Sequence, residues 1–179
     1  IAIGRNALTS NTYGGGNIAL GNQSLGSNIS GSSNIALGTA LTGNTTGNSN
    51  IALGQGALNS NKIGNSNIAL GGNTLGYNVS GSNNIGMGGG ALYYNTTGNR
   101  NISIGKYSLY KNTTGGYNVA LGDQALYYNT TGINNIALGR NTLKLNTTGS
   151  HNIGLGYNVN PGGFSGSVII GAGAAATTH

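Results

Sequence analysis

The sequence has no cysteine and no tryptophan, and it has one proline, one phenylalanine and one acidic residue, Asp123. Without cysteine there is no disulfide framework and no thiol chemistry. General acid–base catalysis needs positioned carboxylates or histidines, and beside Asp123 the chain offers only His151 and His179. One Asp cannot supply the carboxylate columns of a calcium-binding β-roll. The expectation is therefore no enzyme, no catalytic residues, no metal and no cofactor. No apolar run reaches the roughly 18 residues that span a bilayer, and no signal peptide is visible. The near-absence of acids also explains the net charge of +6 and the pI near 9.7: only seven Lys and Arg are present. The sign comes from missing acids more than from a basic patch, so the clustered phosphate contacts of a nucleic-acid binder are not expected.

What is abundant is glycine, 36 residues of 179. High glycine with high net charge would suggest disorder, but only 4% of residues are charged and Ile and Leu recur on schedule. The schedule is a 17-residue unit, N-I-A-L-G-x-x-A-L-x-x-N-T-T-G-x-x. Its first apolar position falls at Ile1, Ile18, Ile35, Ile51, Ile68, Ile85, Ile102, Val119, Ile136, Ile153 and Val168. Every step is 17 except 16 from Ile35 to Ile51 and 15 from Ile153 to Val168. A fixed short period means stacked repeats. The expected fold is all-β: a β-solenoid, or parallel β-roll, of about ten such coils over residues 1–179, with an irregular terminal coil over 157–179. At about 4.8 Å per coil the rod is on the order of 50 Å long. The chain begins and ends inside a repeat, which reads as a piece of a longer fibre protein.

Within N-I-A-L-G, Ile and Leu share one face of a strand and Ala takes the other. The x-A-L segment suggests a second short strand, and its Leu joins the first strand's Ile and Leu in a common interior. Ala2, Ala19, Ala36, Ala52, Ala69, Gly86, Ser103, Ala120, Ala137 and Gly154 would then form a smooth outer column open to another subunit, and a homotrimer is expected. A Gly column (Gly4 to Gly171) implies backbone angles other residues avoid or close backbone approach, and a second column (Gly31 to Gly149) implies the same at the other corner. Two Asn columns, Asn17 to Asn152 and Asn11 to Asn146, stand at coil spacing and can bond along the stack as amide ladders.

Two surface features break the uniformity. Lys106, Asp123 and Arg140 occupy one position in successive coils, an expected structural charge ladder. Nine of ten tyrosines lie between Tyr77 and Tyr157. Tyr93, Tyr110 and Tyr127 share a column, and Tyr94 and Tyr128 flank Lys111 in the next. These five tyrosines are the candidate partner surface, either for host glycan or protein or for ring stacking between coils and subunits. Thr pairs raise an ice-binding solenoid as a rival, but the rows are broken by Ile29, Lys62, Val79 and Pro161.

The N-[IV]-[AGS]-[LIM]-G and N-T-T-G columns resemble repeats of tail-fibre proteins of phages and large viruses. In that family such arrays often precede an intramolecular chaperone of the endosialidase type. The strand unit, and most of all Ser167-Val168-Ile169-Ile170-Gly171-Ala172-Gly173-Ala174, resembles head repeats of YadA-like trimeric autotransporter adhesins. Their shorter period means that the turns here differ. The resemblance implies a homotrimer at a virion surface or cell surface, with other virion or fibre proteins as partners and no insertion into a membrane. It implies a stiff spacer for host attachment. The alternative is an adhesive head of a bacterial trimeric adhesin that binds matrix or glycan.

Overall fold

Each coil contributes one strand of two or three residues, and the strands stack in parallel in chain order. In the computed structural model, which describes residues 1–160, 162 and 164–174, they are β1 (Ala2–Ile3), β2 (Ile18–Leu20), β3 (Ile35–Leu37), β4 (Ile51–Leu53), β5 (Ile68–Leu70), β6 (Ile85–Met87), β7 (Ile102–Ile104), β8 (Val119–Leu121), β9 (Ile136–Leu138), β10 (Ile153–Leu155) and β11 (Val168–Ile170). They form a single sheet in the order β1 to β11. Equivalent residues pair across every interface, for example Ile18 with Ile35 and Ala19 with Ala36. This is an all-β parallel solenoid of about ten coils of roughly 17 residues. The register survives both short coils, since Ile35 pairs with Ile51 and Ile153 with Val168.

The sidedness of the strand is the reverse of the expectation. Ala19, Ala36, Ala52, Ala69, Ala120 and Ala137 are fully buried, and Ile and Leu face outward, half-buried or exposed. The reason is the thickness of the roll. The opposite wall is lined by Leu25, Leu41, Leu58, Leu75, Leu92, Leu109, Leu126 and Leu143, all fully buried and packed against the Ala column. A Leu reaching across so thin an interior leaves room for a methyl group on the strand side, not for a second branched chain. The small-residue column is therefore core, and the rod's outer strand face is an Ile/Leu ladder.

The second expected strand is also replaced. The x-A-L segments are turns, and their leucines adopt left-handed backbone with φ between 48° and 54°. That conformation costs an L-residue roughly 1–2 kcal/mol, and complete burial of the side chain, about 1.5–3 kcal/mol, offsets it. One coil shows the full set of positive angles: Gly122 (φ 141°), Gln124 (55°), Leu126 (52°) and Asn134 (56°). These reversals let 17 residues close a loop around so small a core. The 16-residue step omits the left-handed residue two places after the glycine, and Gly38 relaxes to φ 86° to absorb the loss.

Interior volume is matched pair by pair. Gly86 stands where other strands have Ala, and a Cβ there would lie 2.6 Å from the Thr74 Cγ2 methyl. Gly154 has the same relation to Thr142, at 2.7 Å. With a strand Ala, the residue twelve places earlier is smaller, as in Ala57 with Ala69 and Ser24 with Ala36. Gly86→Ala is therefore expected to cost about 1–3 kcal/mol through overpacking. Adding Thr74→Ser should recover most of it, because the Ser/Ala pair already exists at Ser24 and Ala36. Urea unfolding of the two single variants and the double variant checks this, and strictly additive effects would refute it.

Both Asn columns form the amide ladders expected of them. In one, Asn118 donates its backbone N–H and its Nδ2 to Asn101 Oδ1, each at 3.1 Å, and Nδ2 also to Gly132 O at 2.9 Å. In the other, Asn95 Nδ2 donates to Asn78 Oδ1 (2.8 Å) and Gly98 O (3.0 Å). Gly98 O also accepts from Asn84 Nδ2 at 2.8 Å, so one carbonyl ties the two ladders together. A side chain at Gly98 would collide with Asn95 Oδ1 and Gly115 O, which accounts for the second Gly column. At the last coils Ser167 donates its N–H to Asn152 Oδ1, and Asn146 Oδ1 and Asn152 Nδ2 have no partner among the described residues. In the irregular terminal coil, Pro161, Gly163 and residues 175–179 lie outside the described residues.

Candidate functional site

The two residues after each buried Leu leave the core at a corner of the coil, so their side chains form two adjacent outer columns. From Tyr77 onward these columns hold rings and cations in place of Ser, Thr and Gly. Coil spacing of about 4.8 Å lies within the range at which aromatic rings pair. Tyr93 stacks on Tyr110 (centroids 5.4 Å, 9° between planes) and Tyr110 on Tyr127 (5.1 Å, 19°). Tyr77 stacks on Tyr94 at 5.4 Å. Edge-to-face pairs, such as Tyr93 with Tyr94 and Tyr127 with Tyr128, join the columns. Gly76 makes room for the Tyr93 ring, which a Cβ there would meet at 2.8 Å.

All five candidate tyrosines thus belong to one network. Tyr77 and Tyr107 join it through edge-to-face contacts with Tyr93 and Tyr110. Lys111 Nζ sits 4.5 Å above the centre of Tyr94, and Lys144 Nζ lies 5.8 Å from that of Tyr127. Burial, followed by the neighbouring rings, raises the Tyr110 and Tyr127 hydroxyls above the usual phenol range. At Tyr93 the hydrogen bond with Tyr77 comes first and burial second. The Tyr93, Tyr110 and Tyr127 hydroxyls therefore stay neutral at physiological pH.

Beside the network runs a groove of about 590 Å³. Tyr77, Tyr94, Lys111 and Tyr128 form one wall, and Thr96, Thr113, Thr130 and Thr147 the other. The Thr96, Thr113 and Thr130 hydroxyls each donate to the carbonyl one coil on, at 3.0 Å. The Thr wall is thus pinned along the stack, with three of its four hydroxyls engaged. A second depression of about 510 Å³ in the N-terminal coils is lined by Asn6, Thr9, Gln23, Gly26, Ser27, Thr42 and Gly43, with no ring and no cation.

Lys106, Asp123 and Arg140 stand one above another as expected, with Gln124 N bonded to Lys106 O and Asn141 N to Asp123 O, both at 2.9 Å. The expected charge ladder does not close. Lys106 lies over the Tyr107 ring, 5.0 Å from its centre, and no ion pair forms among the described residues. All three side chains are exposed, and at the surface a solvated ion pair has little advantage over an adjacent aromatic face.

His151 stands within 3.3 Å of Asn134 Nδ2, and His179 lies outside the described residues. Among the described residues, no group of three or more His, Asp or Glu side chains could hold a metal ion, and no helix is long and apolar enough to cross a membrane. No protein-family model matches the chain, nor does any curated protein or solved structure.

Proposed function

We propose that this chain is a non-enzymatic segment of a trimeric fibre on a viral or phage particle, a stiff spacer that holds a receptor-binding part away from the surface. The observation that carries the reading is the outer strand face. It presents an uninterrupted ladder of apolar side chains along the rod, including Met87, Ile104, Leu121, Ile136, Ile153 and Leu155, all exposed in the single chain. Exposed apolar stripes of this extent mark association surfaces. Three copies packed around one axis through these faces would bury the ladder, and the parallel stack would run along the fibre. Stiffness follows from the ladders: backbone and Asn bonds both run between coils, so bending the rod strains both.

A second reading, the adhesive head of a bacterial trimeric surface protein, is favoured by the tyrosine and lysine columns of the C-terminal half. The ice-binding reading is weakened by the first Thr of the pairs, since the Thr45, Thr96, Thr113 and Thr130 hydroxyls bond to carbonyls within the stack instead of standing free.

Light scattering on the purified chain is expected to give a mass of three chains. Replacing Leu70 and Ile102 by Lys on the outer face should convert the trimer to monomer while leaving the β-sheet circular dichroism intact. A stable wild-type monomer would remove the main support for the fibre.

A further inference from the structure

Groove chemistry changes along the rod while the fold does not. The N-terminal coils carry Ser, Thr, Gly and Asn in the two outer columns, and the coils from Tyr77 to Lys144 carry rings and cations. Stability does not demand the change, since the same coil is built both ways. Five of the seven cations fall between Arg100 and Lys144. The groove itself holds one of them, Lys111, between two open rings, two coils from Tyr77 and one from Tyr128. Tyr77 is 48% exposed and Tyr128 42% exposed. They stand three coils apart, about 14 Å at the spacing of stacked strands.

We infer that this groove binds an acidic, unbranched oligosaccharide laid along the rod axis. The coil rise is close to the length of one pyranose residue in an extended chain, so successive sugars would meet successive coils in register. The apolar faces of two sugars rest on the Tyr77 and Tyr128 rings, as apolar surface does on aromatic side chains. The carboxylate of a sugar between them meets the Lys111 ammonium in a charge-assisted contact. A polynucleotide fits less well. Each of its phosphates calls for a cation, and the groove has one. Its inner ring, Tyr94, is stacked against Tyr77 and covered by Lys111, which leaves Tyr77 and Tyr128, three coils apart, and no continuous aromatic row for successive bases to stack on. None of the outward Ile and Leu residues lines the groove, so a trimer built on the strand face leaves it open. The proposal gives the shaft itself a binding site, beyond a spacer role.

The test uses β-1,4-linked mannuronate oligomers of two to six residues with the intact protein, in its solution oligomeric state, read by calorimetry. The hexamer should bind, its fully methyl-esterified form about tenfold or more weaker, and the dimer, too short to span both rings, weaker still. Lys111→Gln should show the same loss with the acid and none with the ester, and Lys111→Arg should restore it. Replacing Tyr77 and Tyr128 by Ser should weaken both forms. Four results would overturn the proposal: no binding to protein of unchanged mass and circular dichroism, equal binding of acid and ester, an unaltered Lys111→Gln variant, or tighter binding of oligothymidylate or oligoglutamate. Loss of sugar binding with the trimer intact leaves the fibre reading standing, and a monomer that binds the sugar separates the two the other way.

Discussion

Gly122→Ala is expected to unfold the middle of the rod. Gly122 has φ 141°, which side chains rarely adopt, and a Cβ there would lie 2.5 Å from both the carbonyl carbon and oxygen of Gly139 and 3.0 Å from Arg140 N. The atoms in the way are backbone of the next coil and cannot rotate aside. Relief requires separating β8 from β9, which breaks the bond from Gly139 N to Leu121 O at 2.8 Å and the pairing of Leu121 with Leu138. Backbone strain of about 1–3 kcal/mol adds to that loss, and a total above about 4 kcal/mol is expected. Because each coil touches only its neighbours, the array should split there and unfold in two steps. Gly72→Ala is the control: its φ is not positive and its nearest neighbour, Gln55 O, is 3.8 Å away, so a change within about 0.5 kcal/mol is expected. Denaturant unfolding decides, and a single transition with an unshifted midpoint for Gly122→Ala would refute the account.

Those glycines show what the sequence makes legible. A column of one residue type at coil spacing reports a constraint that every coil repeats, so the Gly and Asn columns and the recurring Leu of x-A-L stand out in the amino-acid order alone. Sidedness could not be read the same way. In I-A-L the larger residues are the natural choice for the interior, but the thickness of the roll is set by the wall across from them. Ala19 is buried because Leu25 and its neighbours already fill the space. The second strand failed for a related reason. Leu is among the residues least suited to left-handed backbone, and only a fully buried site makes that conformation tolerable. The surface network was half legible. The column of Tyr93, Tyr110 and Tyr127 follows from register. Tyr77 and Lys144 follow from register too, one coil before Tyr94 and one coil after Tyr127, whereas Tyr107 enters because its side chain reaches across columns to Tyr110, and Lys106 leaves its column for the Tyr107 ring in the same way.

Inversion of the strand also joins fold to function. With Ala inside, the roll is too thin to hide its own Ile and Leu, which form an outward apolar ladder along the rod. The turn side, freed from packing duties, is where composition varies. On the fibre reading the strand face would assemble and the corner columns would contact the outside. The same division explains why the irregular coil lengths fall in turns and leave the register of β3 with β4 untouched.

Replacing Asn101 by Leu, nearly the same size, is expected to be as damaging as a backbone clash. Asn101 is fully buried. Its Nδ2 donates to Asn84 Oδ1 at 3.1 Å and to Gly115 O at 2.9 Å. Its Oδ1 accepts from the backbone N–H and the Nδ2 of Asn118, both at 3.1 Å. Leu removes all four bonds. Asn118 Nδ2 keeps Gly132 O, but the Asn118 N–H is left buried without its acceptor. An orphaned buried donor costs about 1–3 kcal/mol and each of the three further lost bonds about 0.5–1.5 kcal/mol, for a total of about 2.5–7.5 kcal/mol. Added apolar volume offsets little, because the site is enclosed by amides and carbonyls. Asn101→Asp separates polarity from shape. It keeps the acceptor for Asn118 but, when ionised, turns an oxygen toward Asn84 Oδ1 and Gly115 O. Burial and those oxygens favour the protonated acid, so its pKa in the fold should lie above that of the unfolded chain. Protonation then stabilises the fold. The variant should be most stable below the unfolded carboxyl pKa and lose stability as pH rises through the folded one. Urea midpoints measured from acid to neutral pH test both variants. A loss below about 1 kcal/mol for Asn101→Leu, or an Asn101→Asp variant whose stability relative to wild type ignores pH, would show that the ladder is an ornament of the stack and not one of its supports.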